Sequence, residues 1–149
     1  MKRVILFALI LGTLLGVHIV RAQQSVAPAV TVVRDPGCGC CLAWVTHMQR
    51  AGFKTTVTES AQRKQNTPGV PASARSCHTA TIDGYLVEGH VPVEDVKRLL
   101  KERPKIVGIA APGMPAGSPG MEMPTGQVTP YDVVAFDRAR TITVFASHR

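Results

Sequence analysis

Residues 34–48, which read RDPGCGCCLAWVTHM, place three cysteines within four positions. Cys38 and Cys41 have the C-x-x-C spacing of exchange-active disulfides. Cys40 adds a third thiol between them, which a simple redox pair does not need. Three crowded thiols also form a patch of soft ligands of the kind that bind Cu(I), zinc or iron–sulfur clusters. The stretch therefore leaves two chemistries open, thiol–disulfide exchange and metal binding.

The position of these cysteines makes them reactive under either hypothesis. Cys40 and Cys41 lie at the predicted start of a helix, where unpaired backbone amides and the helix dipole favour thiolate over thiol. Three thiolates so close in sequence do not readily converge on one tetrahedral ion, whereas thiolates can bridge several Cu(I) ions. We therefore expect a polynuclear copper site in preference to mononuclear zinc.

Further soft or borderline ligands follow downstream. The segment SCHT supplies Cys77 and His78 in a loop that, in a thioredoxin-like fold, faces the cysteine turn. His90 ends the neighbouring predicted strand. Met114 and Met121 lie in a predicted loop, outside any periodic apolar stripe, and thioethers suit Cu(I). The predicted metal ligands are Cys38, Cys40, Cys41, Cys77, His78, His90, Met114 and Met121. Cys38 and Cys41 also form the predicted catalytic redox pair.

Five other residues have suitable side chains but different predicted roles. His47 lies roughly 10 Å along the helix axis from the cysteine turn, too far to share its metal. Met48 belongs to the apolar stripe of the helix and is expected in the core. His148 is expected at a frayed surface. Glu88 is either a partner that orients a histidine or an exposed strand residue. Met123 is the weakest ligand among the loop methionines.

The N-terminus has the pattern of a secretory signal peptide. Lys2 and Arg3 precede an apolar run, and a V-x-A cleavage site ends at Ala22. The apolar run is shorter than the ~20 residues that a membrane span needs, so we expect cleavage and no stable anchor. Export places the cysteines in an oxidising compartment, where crowded thiols must pair, cycle between redox states or bind metal.

The formal net charge of the chain is +7. The basic residues are scattered, and the few aromatic residues are not interleaved with them, which argues against nucleic-acid binding. We interpret the basic residues, Arg63 and Lys64 among them, as a solvated surface.

Periodicity and turn signals predict the order strand, cysteine turn, helix, strand, variable link, hairpin, helix. The predicted elements are strands at 29–35, 54–60, 77–82 and 85–91, a helix from Cys41 to Gly52, and a helix with Pro92 in its first position that Pro104 stops. This order predicts an α/β fold with a thioredoxin-like domain at 29–107. The signal peptide at 1–22 and a flexible lead at 23–28 precede it.

A C-terminal extension is predicted at 108–149. Its first part, 108–126, is rich in glycine, proline and methionine, and we expect no regular structure there. Its second part is predicted to form a closing β-hairpin from strands at 131–136 and 141–147.

The motifs CGCC, GVPASARSCHTATIDGYLVEGHVP and GIAAPGMPAGSPGMEM occur in this order after the signal peptide. In these motifs the chain resembles the CopG-like copper-resistance proteins, which are periplasmic proteins of Gram-negative bacteria long catalogued as a domain of unknown function. The resemblance covers nearly the whole mature chain, and the combination of C-x-C-C, SCHTA and GMP-x-GSPGME is specific.

The resemblance implies a thioredoxin-like domain with a C-terminal extension that contributes to metal binding. It also implies a periplasmic location, a cysteine-rich copper centre, and a role in interconverting Cu(I) and Cu(II) during copper detoxification. The ligands predicted above match the motifs of this family by position. They are the cysteines of CGCC, the Cys-His pair of SCHTA, the histidine of GHVP and the methionines of the extension.

Three functional hypotheses remain open at this point. The first is a periplasmic copper-binding protein with copper redox activity, whose partners are copper ions and copper-efflux components and which is expected to be a monomer. The second is a metal-independent thiol–disulfide oxidoreductase, whose activity would survive Cys40→Ser and the loss of Met114. The third is a passive copper carrier or store, which shares the ligands of the first.

Overall fold

The computed structural model describes residues 28–149 except 64, 66 and 68. The predicted signal peptide at 1–22 lies outside the described residues, as does the predicted lead apart from its last residue. The strands are β1 Ala29–Arg34, β2 Lys54–Glu59, β3 His78–Ile82, β4 Tyr85–Gly89, β5 Gly108–Ala111, β6 Tyr131–Phe136 and β7 Ile142–His148. The helices are α1 Gly39–Arg50 and α2 Val93–Glu102, with a single 3₁₀ turn at Ala72–Ala74.

All seven strands belong to one mixed sheet in the order β2-β1-β3-β4-β5-β6-β7. The pairs β1–β2 and β4–β5 are parallel, and each needs a crossover connection, which α1 and α2 supply. The pairs β1–β3, β3–β4, β5–β6 and β6–β7 are antiparallel. The two predicted hairpins, β3–β4 and β6–β7, are confirmed.

The main hydrophobic core lies between the helices and one face of the sheet. Helix α1 forms because its apolar residues recur at helical spacing, and it buries Cys41, Trp44, Val45 and Met48. The prediction that Met48 is a core residue is confirmed. A smaller apolar cluster, built on Val70, Ala74, Ala110 and Phe136, covers the opposite face of the sheet. The sheet is therefore covered on both faces near its centre.

Strand β5 corrects the prediction that 108–126 has no regular structure. Its sequence GIAA lacks the β-branched run that marks most buried strands, yet all four residues are buried. The small residues are required because β5 lies between two other strands. A Cβ atom on Gly108 would lie 2.0 Å from the carbonyl oxygen of Leu86. Because the backbones of β4 and β5 approach so closely, β5 has small residues in place of the β-branched residues that would have indicated a strand.

The ends of the helices also differ from the prediction. Helix α1 begins at Gly39, two residues earlier than predicted, with Cys38 as its N-cap. Pro92 is the N-cap of α2 and not its first helical residue. The helix ends at Glu102, and its C-cap Arg103 has a left-handed φ of 52°, because the backbone must leave the helix before Pro104.

His148 is not at a frayed end, in contrast to the prediction. Its Nε2 atom lies 2.8 Å from Oδ2 of Asp95, which is buried at the start of α2. Its ring stacks on Tyr131 with centroids 4.9 Å apart. The guanidinium of Arg98 packs over the ring of Phe145 at 3.9 Å. These contacts hold strand β7 against α2, so the last strand is part of the packed structure.

Among residues 28–149, as far as they are described, no helix is long and apolar enough to cross a membrane.

Candidate metal centre

The cysteine turn forms the N-terminus of α1. The Cys38 sulfur accepts a hydrogen bond from the backbone N–H of Cys41 at 3.3 Å, which satisfies one of the free amides of the first turn. The same two cysteines form a disulfide, with Cα atoms 5.4 Å apart. The disulfide therefore joins the pair that the C-x-x-C spacing favoured. Cys40 and Cys77 are free thiols and are partly exposed.

Cys77 completes a cluster of four sulfurs. Its Sγ atom lies 3.2 Å from Sγ of Cys41, and Sγ of Cys40 lies 3.4 Å from Sγ of Cys38. All four sulfurs lie within 4.8 Å of one another. The prediction that the loop before β3 faces the cysteine turn is thus confirmed. Once the Cys38–Cys41 disulfide is reduced, four soft donors at this spacing suit Cu(I), for which thiolates can act as bridging ligands.

Two histidines extend the cluster on the side of Cys77. His90 Nε2 lies 3.1 Å from the Cys77 sulfur, and Nδ1 of the same ring lies 2.9 Å from the carbonyl oxygen of Pro119. Since a carbonyl only accepts, His90 carries its proton on Nδ1 and directs the lone pair of Nε2 at the sulfur. A histidine that is oriented by a carbonyl in this way is typical of a metal ligand.

His78 lies deeper in the protein. Its Nδ1 atom is 3.5 Å from the Cys77 sulfur, and its ring packs against Trp44 and His90 with centroids at 4.6 and 5.1 Å. Its Nε2 atom is buried without a hydrogen-bond partner among the described residues. One ligand atom from each of Cys77, His78 and His90 lies within 4.8 Å of the other two.

Burial determines the protonation of these groups. Burial, together with smaller effects of the nearby His90 and Arg63, lowers the pKa of His78 to about 3. Burial also lowers the pKa of His90, although its hydrogen bond to Pro119 opposes this. For Cys77, burial and the neighbouring Cys40 raise the pKa to about 11. At neutral pH the imidazoles are therefore uncharged and able to bind metal, whereas the Cys77 thiol must first lose a proton.

The predicted methionine ligands Met114 and Met121 both lie on the extension. Met114 is 56% exposed and borders, together with Cys77, an open depression of about 390 Å³. Met121 is half-buried in a tight turn closed by a hydrogen bond from Gly117 N–H to its carbonyl at 2.8 Å. Met123 is 40% exposed.

The segment on either side of Met121 is docked on α1. Gly120 has a φ of +86°, and a Cβ atom there would lie 2.6 Å from the carbonyl oxygen of Cys40. Only glycine combines this backbone conformation with such a close approach. Glu122 Oε1 accepts from the Gly120 N–H at 3.0 Å and lies 2.6 Å from His47 Nε2. His47, predicted as a surface or packing residue, thus holds the extension to the helix.

Comparison with known proteins agrees with this arrangement. A family model described as "Protein of unknown function, DUF411" matches residues 74–121. Two solved structures titled "Copper resistance protein copG", Form 1 and Form 2, are 45% and 44% identical to the chain. The first match covers 82% of this chain and 98% of the solved chain, the second 83% and 99%, each with a TM-score of 0.77. The chain belongs to the CopG family. None of the curated proteins matches it.

In this CopG-family chain the structure brings six of the eight predicted ligands into one contiguous group. These six are Cys38, Cys40, Cys41, Cys77, His78 and His90. Met114 and Met121 lie on the loop that borders the group, and their ligand role stays a prediction.

Sequence reasoning missed the buried ion pair behind Cys77. Arg63, predicted to be solvated, is 2% exposed, and Glu88, predicted to orient a histidine or to be exposed, is 0% exposed. Arg63 Nη1 lies 3.2 Å from Oε1 of Glu88. The other side-chain hydrogen bonds found for this pair in the described part of the chain go to Asp35, Ser76 and Thr79, not to a histidine. A single carboxylate in the otherwise apolar strand YLVEG was a usable signal, because a buried carboxylate needs a cationic or hydrogen-bonding partner.

Proposed function

We propose that this chain is a copper-binding protein of copper resistance. Its solved relatives are named as copper resistance proteins. The observation that carries the proposal is the group of four sulfurs within 4.8 Å of one another, with two neutral imidazoles beside it. This donor set is soft, and copper is the metal whose two oxidation states suit mixed thiolate and imidazole ligation.

The copper-loaded centre is proposed to be polynuclear. Four sulfurs in this arrangement can each bridge two Cu(I) ions, whereas a single tetrahedral ion would use all four at once. Reduction of the disulfide between Cys38 and Cys41 frees two of the four sulfurs for binding. The proposed ligands are Cys38, Cys40, Cys41, Cys77, His78 and His90, with Met114 and Met121 covering the site from the extension.

The disulfide couples copper redox chemistry to thiol redox chemistry in this proposal. When Cys38 and Cys41 pass from dithiol to disulfide, one S–S bond forms, two protons leave and two electrons are released. Two Cu(II) ions accept these electrons and become two Cu(I) ions. The reverse sequence takes two electrons from two Cu(I) ions and two protons from water. The pair is thus the proposed catalytic centre for interconverting the two oxidation states.

We also propose that the first four strands and the two helices form a thioredoxin-like domain. The sheet order β2-β1-β3-β4, with β1 and β2 parallel and β3 and β4 antiparallel, supports this assignment. The chain is proposed to work in the periplasm as a monomer, after removal of residues 1–22, and to pass copper to efflux components. The pattern of the N-terminal residues supports the periplasmic location, and the partial exposure of Cys40 and Cys77 supports the transfer of copper.

Titration of the reduced protein with Cu(I), followed by electron paramagnetic resonance after addition of Cu(II), tests the proposal. We expect more than one Cu(I) ion per chain, and a Cu(II) signal that decays as thiols are oxidised. Binding of no copper above adventitious levels would contradict the copper function. Tight binding with an unchanged Cu(II) signal would instead favour a carrier or store.

One observation favours a second function. A disulfide at a helix N-terminus is the arrangement of metal-independent thiol–disulfide oxidoreductases, and the pair Cys38–Cys41 has it. Reduction of a disulfide-bonded protein substrate by the Cys40→Ser variant separates the two functions. The exchange enzyme retains full activity in this variant, whereas the copper protein loses copper ions.

A further inference from the structure

Arg63 and Glu88 form an ion pair in the interior of the protein, with 2% and 0% of their surfaces exposed. Burial of a charged pair is costly and is tolerated only where further hydrogen bonds satisfy its remaining atoms. Arg63 Nη1 also donates to Oγ1 of Thr79 at 3.0 Å, and the Thr79 hydroxyl donates to Glu88 Oε2. The pair is therefore fully engaged and forms a rigid unit behind β3 and β4.

The other contacts of this pair converge on one short segment of backbone. The N–H of Ser76 donates to Glu88 Oε1 at 2.6 Å, and the carbonyl of Ser76 accepts from Arg63 Nη2. Both backbone groups of the residue that precedes Cys77 are thus held by one ion pair. A backbone held on both sides has little freedom to rotate.

A second line of contacts holds Cys77 itself. Arg63 Nε lies 3.0 Å from Oδ1 of Asp35, and the backbone N–H of Asp35 donates to the carbonyl of Cys77 at 3.1 Å. Asp35 directly follows β1 and precedes the cysteine turn. Arg63 therefore connects the loop that carries Cys77 to the segment that carries the other three cysteines.

We infer that the ion pair between Arg63 and Glu88 is a positioning device for Cys77, which holds its thiol against Cys41 and His90. This inference rests on the proposed function for its biological meaning, but the geometry it describes exists without copper. The distances involved, 3.2 Å to the Cys41 sulfur and 3.1 Å to His90 Nε2, are short enough that a small rotation of the loop would break both contacts.

The equilibrium between the dithiol and disulfide forms of Cys41 and Cys77, measured without copper, reports on this positioning. In the double variant Cys38→Ser, Cys40→Ser, only Cys41 and Cys77 remain as thiols. Oxidised glutathione converts this dithiol to a disulfide and yields two reduced glutathione molecules, which balances atoms and electrons. The equilibrium constant, read by mass spectrometry over a series of glutathione ratios, gives the effective concentration of one thiol at the other.

We add Arg63→Met with Glu88→Leu to this background, so that no unpaired charge stays buried and the fold is retained. We expect the effective concentration to fall about 10- to 100-fold, the usual range for the loss of groups that orient ligands. Arg63→Lys, which keeps the charge but not the forked geometry, is expected to give an intermediate value. Arg103→Met removes a half-exposed arginine of a surface ion pair with Asp83 and serves as the control, with no change expected.

An unchanged equilibrium constant in the Arg63→Met, Glu88→Leu protein would overturn the inference, provided that its circular dichroism matches that of the parent. Equal losses in the Arg103→Met control would overturn it too, because the effect would then be general destabilisation. If the full-cysteine protein failed to bind Cu(I) while these equilibria shifted as expected, only the proposed copper function would fall. Retained Cu(I) binding with unshifted equilibria would reject the positioning role alone.

Discussion

Protonation of the individual ligands determines what happens when a metal ion arrives. The imidazoles of His78 and His90 are neutral at pH 7 because burial lowers the pKa of each. The pKa of Cys77 is raised to about 11 by burial and by Cys40, so this thiol carries its proton until the metal displaces it. The thiol can donate this proton to His90 Nε2, which faces it at 3.1 Å.

The redox pair leads to a prediction about single cysteines. Reduced protein mixed with two equivalents of Cu(II) is expected to lose two thiols and to generate two Cu(I) ions, measured with a thiol reagent and a chromophoric Cu(I) chelator. Cys41→Ser removes one partner of the preorganised pair, so Cu(II) reduction should slow about tenfold or more. Cys40→Ser keeps the pair and should keep the rate. Equal rates in all three proteins would show that the pair has no special role.

At the scale of elements, the extension closes the site by docking along α1. Pro119 orients His90, Gly120 lies against the backbone of α1, and Glu122 pairs with His47. The loop thus contacts α1 between Cys40 and His47, and it contacts His90, which directly follows β4. This docking places Gly120, the residue before the predicted ligand Met121, against the backbone of Cys40.

The docking predicts unequal effects for two glycine substitutions. Gly120→Ala and Gly126→Ala both force a side chain into a positive-φ conformation, at a cost of about 1–2 kcal/mol each. A Cβ atom on Gly120 also overlaps the α1 backbone, whereas on Gly126 it meets nothing within 4 Å. We expect a further loss of about 1–3 kcal/mol for Gly120→Ala alone, measured by urea unfolding. Equal losses of unfolding free energy in the two variants would mean that the loop does not pack on α1.

At the scale of the whole molecule, the neutral histidines make the stability of the metal-free protein depend on pH. His78 has a folded pKa of about 3 and an ordinary value of 6.5, so below pH 6.5 the unfolded chain binds a proton that the folded chain does not. The stabilisation is fully present above pH 6.5 and is lost as the pH falls towards 3, by up to about 1.4 kcal/mol per pH unit.

Urea unfolding of the metal-free protein between pH 7 and pH 4 checks this dependence. The free energy of unfolding should fall more steeply with decreasing pH in the parent than in His78→Gln, since the variant lacks the proton-binding group. Parallel slopes for the two proteins would show that His78 is accessible to protons in the folded state.

The whole fold was only partly predictable. The β-branched run of β1, the turn pair between β3 and β4 and the apolar stripe of α2 each carry a local signal, and these elements are found where expected within one or two residues. Strand β5 could not be predicted because its close packing demands glycine and alanine, which are poor strand formers. The packing of His148 on Asp95 joins residues 53 positions apart and has no local signal.

The site shows the same limit. The spacing of Cys38, Cys40 and Cys41 is local, so their grouping followed from the sequence directly. The approach of Cys77 and His90 was predicted only through the expected order of strands, since long-range contacts depend on topology. Arg63 had no signal of its own, because a basic residue in a polar link is ordinarily solvated.

The central claim is that the clustered sulfurs bind several copper ions together. Native mass spectrometry of the reduced protein during Cu(I) addition tests it most directly, with Cys77→Ser as the comparison, since this sulfur contacts both the cysteine turn and His90. We predict that the parent binds more than one Cu(I) ion per chain and that Cys77→Ser binds fewer. A parent that binds no Cu(I), or the same number of ions in both proteins, would contradict the claim.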